Sequence, residues 1–134
     1  MAGYSKRTLV GKLGIKADAA IAILSAPRGY ARTLGRLPKG VTRRATAAGR
    51  LDVVQFFARE ARELRRAFRA LERALTPAGA LWISWPKQAS GVPTDLTENG
   101  VRAIGLAHGL VDVKVAAVDD VWSGLKFVRR LKDR

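Results

Sequence analysis

Three mainly apolar runs constrain this chain more than any other feature: Ala19 to Ser25 (AAIAILS), Leu51 to Ala58 (LDVVQFFA) and Ala80 to Trp85 (ALWISW). Each reads as a strand buried on both faces, the pattern of a parallel sheet with helices above and below. Between the second and third lies Arg59 to Leu75, where Ala61, Leu64, Phe68, Leu71 and Leu75 recur at steps of three and four. That spacing predicts a helix with one apolar stripe, stopped by Thr76-Pro77-Ala78-Gly79. Strand, helix and strand in this order call for a parallel crossover.

The remaining segments extend the alternation. Ser5 to Leu13 reads as a short basic helix closed by Gly14. Ala26-Pro27-Arg28-Gly29 breaks the first strand, Tyr30 to Leu37 forms a short helix before Pro38, and Val41 to Ala47 is weakly strand-like. Residues 86–94 form a loop, and Asp95 with Glu98 matches a capping box opening a helix from Leu96 to His108, closed by Gly109. Val111 to Val118 and Leu125 to Arg130 are strands joined through Asp119 to Gly124. Trp82 and Trp85 belong to the core. The expected fold is a three-layer, Rossmann-like α/β domain over residues 1–134, with a basic helix at 1–14 and the sheet and helices at 15–134. Its mostly parallel sheet ends in an antiparallel hairpin.

Several chemistries are excluded by what the chain lacks. It has no cysteine and one histidine, so thiolate zinc sites, iron–sulfur clusters, a cysteine nucleophile and a histidine metal cage are out. His108 falls in the last turn of its helix, the place of a dipole-favoured surface cation rather than a catalytic base. No phosphate-loop or HExxH pattern occurs. Asp119-Asp120 could hold magnesium through oxygen, but adjacent residues in an extended turn point apart, so no metal is expected. No apolar run approaches a membrane span and no signal peptide is read, so the expected setting is cytoplasmic, away from membranes.

Charge is the anomaly. The net charge is +14, and residues 1–50 hold 11 Lys/Arg against the single acid Asp18. A field of this sign attracts polyanions, above all nucleic acid, whose affinity comes from Lys/Arg on phosphates. Arg28, Arg32, Arg36, Lys39, Arg43, Arg44 and Arg50 are the expected phosphate contacts. They would position a partner without reading its sequence. The plainer alternative is a composition rich in Ala and Arg that places arginine at many solvated positions.

LGIK at 13–16, WPKQASGVPTDLTE at 85–98, GLVDVKVAAVD at 109–119 and WSGLKFVRR at 122–130 resemble a bacterial family of uncharacterised proteins, domain-of-unknown-function family 3052. More remotely, the order of a strand, a long helix, a proline–glycine turn, a strand, a helix and a hairpin looks like the C-terminal half of class I S-adenosylmethionine-dependent methyltransferases. The resemblance implies a reduced methyltransferase-like Rossmann fold and no established activity.

A nucleotide cofactor in such a sheet needs a Gly-rich loop after the first strand and an acid after the second. Here the first strand leads into Ser25-Ala26-Pro27-Arg28-Gly29-Tyr30, and the second into Thr46-Ala47-Ala48-Gly49, with no acid before Asp52. The stretch between Ala26 and Leu51 has room for one short crossover where the methyltransferase pattern has two. No cofactor is therefore expected, and S-adenosylmethionine ranks last among candidate ligands.

The strand ends still collect polar groups. The expected crevice receives Ser25, Arg28, Arg59, Lys87, Ser90 and Thr94, with Asp119, Asp120 and Trp122 from the last turn. Cations, hydroxyls and an indole suit a phosphate or carboxylate with a flat group beside it, and the helix starting at Asp95 would add free N–H groups. Lys87 pairing an aspartate across the loop is the structural alternative. No catalytic residue is assigned. The leading expectation is a non-catalytic binding protein with a polyanion-binding face. The alternative is an enzyme or metabolite sensor at the crevice, and a third is a homo-oligomer joined through the sheet edge or terminal hairpin.

Overall fold

In the computed structural model, which describes residues 8–134, the expected start of the first helix at Ser5 lies outside the described residues. The elements run α1 (Leu9–Leu13), β1 (Ala20–Leu24), α2 (Tyr30–Leu34), β2 (Thr42–Arg44), β3 (Leu51–Phe57), α3 (Ala61–Arg73), β4 (Leu75–Pro86), a 3-10 turn (Gln88–Ser90), α4 (Glu98–Ala107), β5 (Leu110–Ala117), β6 (Trp122–Arg129) and a final 3-10 turn (Leu131–Asp133). The strands form one sheet in the order β2-β1-β3-β4-β6-β5. The first four neighbours are parallel, and β6 runs antiparallel to both β4 and β5.

Each face of the sheet has its own core. On one side α3 and α4 place Leu64, Phe68, Leu71, Val101 and Ile104 against Val54, Phe56, Leu81, Ile83, Leu125 and Phe127. On the other, α1 and α2 place Val10, Leu13, Tyr30 and Leu34 against Ile21, Ile23, Val53, Phe57, Trp82 and Trp122. The expected three-layer fold is therefore present. Trp82 and Trp85 are buried but lie in opposite cores. The Trp82 indole N–H donates to the Leu13 carbonyl at 3.0 Å, tying the end of α1 to the sheet.

Three expectations are corrected. Thr76-Pro77-Ala78-Gly79 does not form a turn outside the sheet; it lies within β4, where the register jumps from Leu51 opposite Leu75 to Val53 opposite Ala80. A proline is tolerated at such a bulge. The carbonyls of Glu72, Leu75 and Thr76 accept from the Arg129 guanidinium, at 2.8, 3.4 and 2.9 Å, so the sharp exit from α3 is closed by a residue of β6. The last helix begins two residues later than the capping box suggested, because Thr97 is its cap and accepts from Gly100 N–H at 3.0 Å. The last strand starts at Trp122 rather than Leu125.

The two edges of the sheet differ. β2 is three exposed residues, two of them arginine. β5 is eight residues long, with Val113 and Val115 exposed and a bulge between Asp112 and Lys114.

Candidate functional site

The chain leaves β1 through α2 to place β2 on one side, then returns to place β3 on the other. In open α/β sheets ligands bind outside the carboxyl ends of the strands at such a reversal. Ser25 stands there, immediately after β1, with φ +58°. A side chain rarely adopts this left-handed backbone, which glycine accepts freely.

Two adjoining clefts open at this point. The first, about 580 Å³, is lined by Ser25, Phe56, Phe57 and Trp122, together with Arg59, Glu60, Arg62, Glu63, Arg66 and Ala67 from the start of α3. The second, about 670 Å³, shares Arg59, Glu60 and Arg62 and is closed by Val92, Pro93, Thr94 and Asp95. The structure thus brings Ser25, Arg59 and Trp122 to one cleft and Thr94 to its neighbour. Arg28 lines neither cleft.

The wall between the clefts is held by backbone bonds. The Thr94 hydroxyl donates to the Arg59 carbonyl at 2.5 Å and accepts from Leu96 N–H at 3.0 Å. The Asp95 carboxylate accepts from Ala61 N–H at 2.7 Å. Asp95 therefore caps α3 instead of opening its own helix, whose cap is Thr97. Glu63 accepts from Arg59 N–H at 3.2 Å on the same turn.

Lys87 and Ser90 line neither cleft. The Lys87 ammonium donates to the Asp119 backbone carbonyl at 2.7 Å, and Lys87 N–H donates to Val121 O at 2.7 Å. Ser90 donates to Lys87 O at 2.6 Å and accepts from Val92 N–H at 3.2 Å. Both close the loop after β4. The Asp119 carboxylate accepts from Val121 and Trp122 N–H at 2.8 Å each, folding the turn before β6. Among the described residues, no group of three or more His, Cys, Asp or Glu could hold a metal ion.

Trp122 is a wall and not a stacking platform: it is 5% exposed, edge-on to Phe57 at 5.0 Å, with the Arg59 guanidinium 5.9 Å from its ring centre. Beneath it runs a buried polar chain. The Tyr30 hydroxyl donates to Gln55 Oε1 at 2.6 Å, and Gln55 Nε2 donates to Ser84 Oγ at 3.1 Å. Burial pushes the Tyr30 hydroxyl up to about 12, against the lowering effect of its bond to Gln55. His108 caps α4, its Nδ1 3.0 Å from Ile104 O and its ring 4.5 Å from Phe68.

Arg28, Arg32, Arg36, Lys39, Arg43, Arg44 and Arg50 are all exposed. Arg28 precedes α2, Arg32 lies within it, Arg36 and Lys39 lie in the loop after it, Arg43 and Arg44 in β2 and Arg50 in the loop to β3, so all seven belong to the stretch that carries the chain out to the β2 edge and back. Among the described residues none of the seven has an ion-pair partner. Sequence reasoning missed Arg62 and Arg66 of the first cleft. The signal was present in the helix itself, where Arg62, Arg66, Arg69 and Arg73 recur at steps of four, three and four opposite the apolar stripe.

No family model matches the chain, and no curated protein matches it in sequence. Solved structures do match in fold. An S-adenosylmethionine-dependent methyltransferase from Aquifex aeolicus is similar with a TM-score of 0.65 and 12% identity, over 89% of this chain and 86% of that one. Magnesium protoporphyrin IX methyltransferase from Synechocystis gives 0.58 and 12%, over 91% and 78%. The fibrillarin pre-rRNA processing protein of Methanococcus jannaschii gives 0.55 and 12%, over 86% and 68%. The chain has a methyltransferase-like Rossmann fold, and at these identities the likeness extends to the fold alone. No described helix is long and apolar enough to cross a membrane.

Proposed function

We propose that this protein is a non-catalytic binding protein whose basic face holds nucleic acid or a similar polyanion. The observation that carries this reading is the run of seven exposed cations on the stretch through α2 and β2, none with an ion-pair partner among the described residues. A solvated face of ordinary composition intersperses acids with its arginines; between residues 28 and 50 there are none. Each cation that meets a phosphate releases a counterion, so the affinity must fall as salt rises. Fluorescence anisotropy with a labelled oligonucleotide tests this. With seven contacts to a single strand, the affinity drops about 10³-fold between roughly 50 and 200 mM salt. An affinity indifferent to salt removes the proposal.

A second reading, a small anionic ligand in the first cleft, is favoured by the coincidence of Ser25, Arg59, Arg62 and Arg66 with the sheet's point of reversal. The residues there do not fit S-adenosylmethionine. Pro27 removes a backbone donor from the loop after β1, and no acid follows β2. The nearest one downstream, Asp52, spends its carboxylate on Ala20 N–H at 2.9 Å, at the opening end of β1. Arg59→Ala should abolish any thermal stabilisation that a small anion produces; a shift that survives it misplaces the ligand.

A further inference from the structure

Arg62, Arg66, Arg69 and Arg73 fall on one stripe of α3, opposite Leu64, Phe68 and Leu71, and the stripe extends about 16 Å along the helix. Like charges at these steps destabilise a helix, and the acids of α3 do little to relieve them. Glu63 is bonded to Arg59 N–H, Glu72 lies 3.9 Å from Arg129, and only Arg62 has a loose, exposed contact, 3.7 Å from Glu60. Arg66, Arg69 and Arg73 have no ion-pair partner among the described residues.

The stripe is not a free ridge. Arg66, Arg69 and Arg73 form one wall of a groove of about 530 Å³ whose other wall includes Ala47 and Gly49 from the loop between β2 and β3. Small residues there let a chain come close to the backbone. Arg66 also lines the first cleft, so the groove and the crevice at the strand ends adjoin at this one side chain. All the basic residues of α3 are arginine, whose planar fork suits phosphate better than the point charge of lysine.

We propose that this groove is the track of a single nucleic-acid strand, with Arg66, Arg69 and Arg73 each holding one phosphate and the strand leading toward the crevice. The inference rests on the polyanion-binding reading and adds to it the substrate class and the path. A duplex is disfavoured because the loop at 45–50 stands beside α3, so the helix is not free to enter a major groove about 12 Å wide. Three phosphates in one line on one helix match one backbone, not two.

The test is anisotropy with short oligo-dT, oligo-U and a duplex of equal length, on three forms of the full chain. The first is wild type. The second carries Arg66→Ala, Arg69→Ala and Arg73→Ala. The third carries Arg130→Ala, Lys132→Ala and Arg134→Ala, exposed residues whose loss removes the same charge far along the sequence. Expected are tighter binding of a single strand than of the duplex, at least about a tenfold loss in the α3 variant, and a salt slope lowered by about two. The carboxy-terminal variant should stay within a few-fold of wild type, and lysine at the three α3 positions should restore most of the slope. Circular dichroism confirms that each variant is folded. Equal losses in both alanine variants, or equal binding of duplex and single strand, overturn the track. If Arg32→Ala with Arg36→Ala weakens binding while the α3 variant is silent, the track falls and the polyanion reading stands. If wild type binds none of the three nucleic acids, both fall.

Discussion

The Asp95 carboxylate accepts from Ala61 N–H at 2.7 Å, so the first turn of α3 is closed by a residue 34 positions further along the chain. The residue in the local cap position, Glu60, makes no such bond. Asp95 therefore joins the loop after β4 to the helix that carries Arg59, Arg62 and Arg66. Asp95→Ala should cost about 0.5–2 kcal/mol, the range of a lost helix cap, read from urea unfolding. Asp95→Asn keeps an acceptor and should lose less. An unchanged midpoint in the alanine variant would show that the bond contributes nothing.

Tyr30 and Gln55 form the second testable pair. Tyr30→Phe leaves Gln55 Oε1, in a side chain 1% exposed, without its donor. A buried unsatisfied acceptor costs about 1–3 kcal/mol. The same pair sets an alkaline limit. Tyr30 holds its proton to about 12 in the fold against 10.0 for an ordinary tyrosine. Above about pH 10 the unfolded chain releases a proton that the folded chain keeps, so stability falls as pH rises toward the folded value, by up to about 1.4 kcal/mol per pH unit. The stability gap between wild type and Tyr30→Phe should therefore narrow over that window. A constant gap would contradict the burial of the hydroxyl.

Ser25 makes a prediction of the opposite sign. Its φ of +58° costs a residue with a Cβ roughly 1 kcal/mol. Ser25→Gly should raise stability by up to about that amount, and Ser25→Val should lower it, since β-branching is worst tolerated there. Thermal melts of the two variants bracketing wild type would confirm the strain.

Gly105 is required by a close approach. A Cβ at this position of α4 would overlap the ring of Phe127, which is fully buried and edge-on to Phe68 at 5.9 Å. Gly105→Ala should destabilise by about 1–3 kcal/mol through overpacking, seen as a lower urea midpoint at unchanged slope. A neutral result would mean that α4 can lift from β6 without penalty.

Much of the layer order could be read from the apolar runs, because a strand covered on both faces has no room for polar alternation. Ala20–Leu24, Leu51–Phe57 and the helix stripe at Leu64, Phe68 and Leu71 appear where periodicity places them. What periodicity misses is long-range. Proline and glycine at 77 and 79 read locally as a stop, yet Arg129, more than 50 residues away, satisfies the carbonyls there. Asp95 reads as the cap of the next helix because a capping pattern does not say which helix its oxygen serves. The crevice was legible in Ser25, Arg59 and Trp122, which share one cleft. It was not legible in Lys87 and Ser90, whose polar atoms are engaged by the loop's own backbone. The arginines of α3 read as solvated because the groove beside them is completed by a loop from another part of the chain.

The unlike margins of the sheet bear on how this protein must be handled. Unpaired strand edges invite another strand, and charge at the edge deters it. β2 ends the sheet with two arginines, while β5 presents Val113 and Val115 beside a bulge. In dilute buffer a net charge of +14 keeps two copies apart. Near 1 M salt that repulsion is screened within about 3 Å. Salt strong enough to displace any bound polyanion would thus also remove the repulsion that separates two β5 margins, so the protein is best kept at low ionic strength.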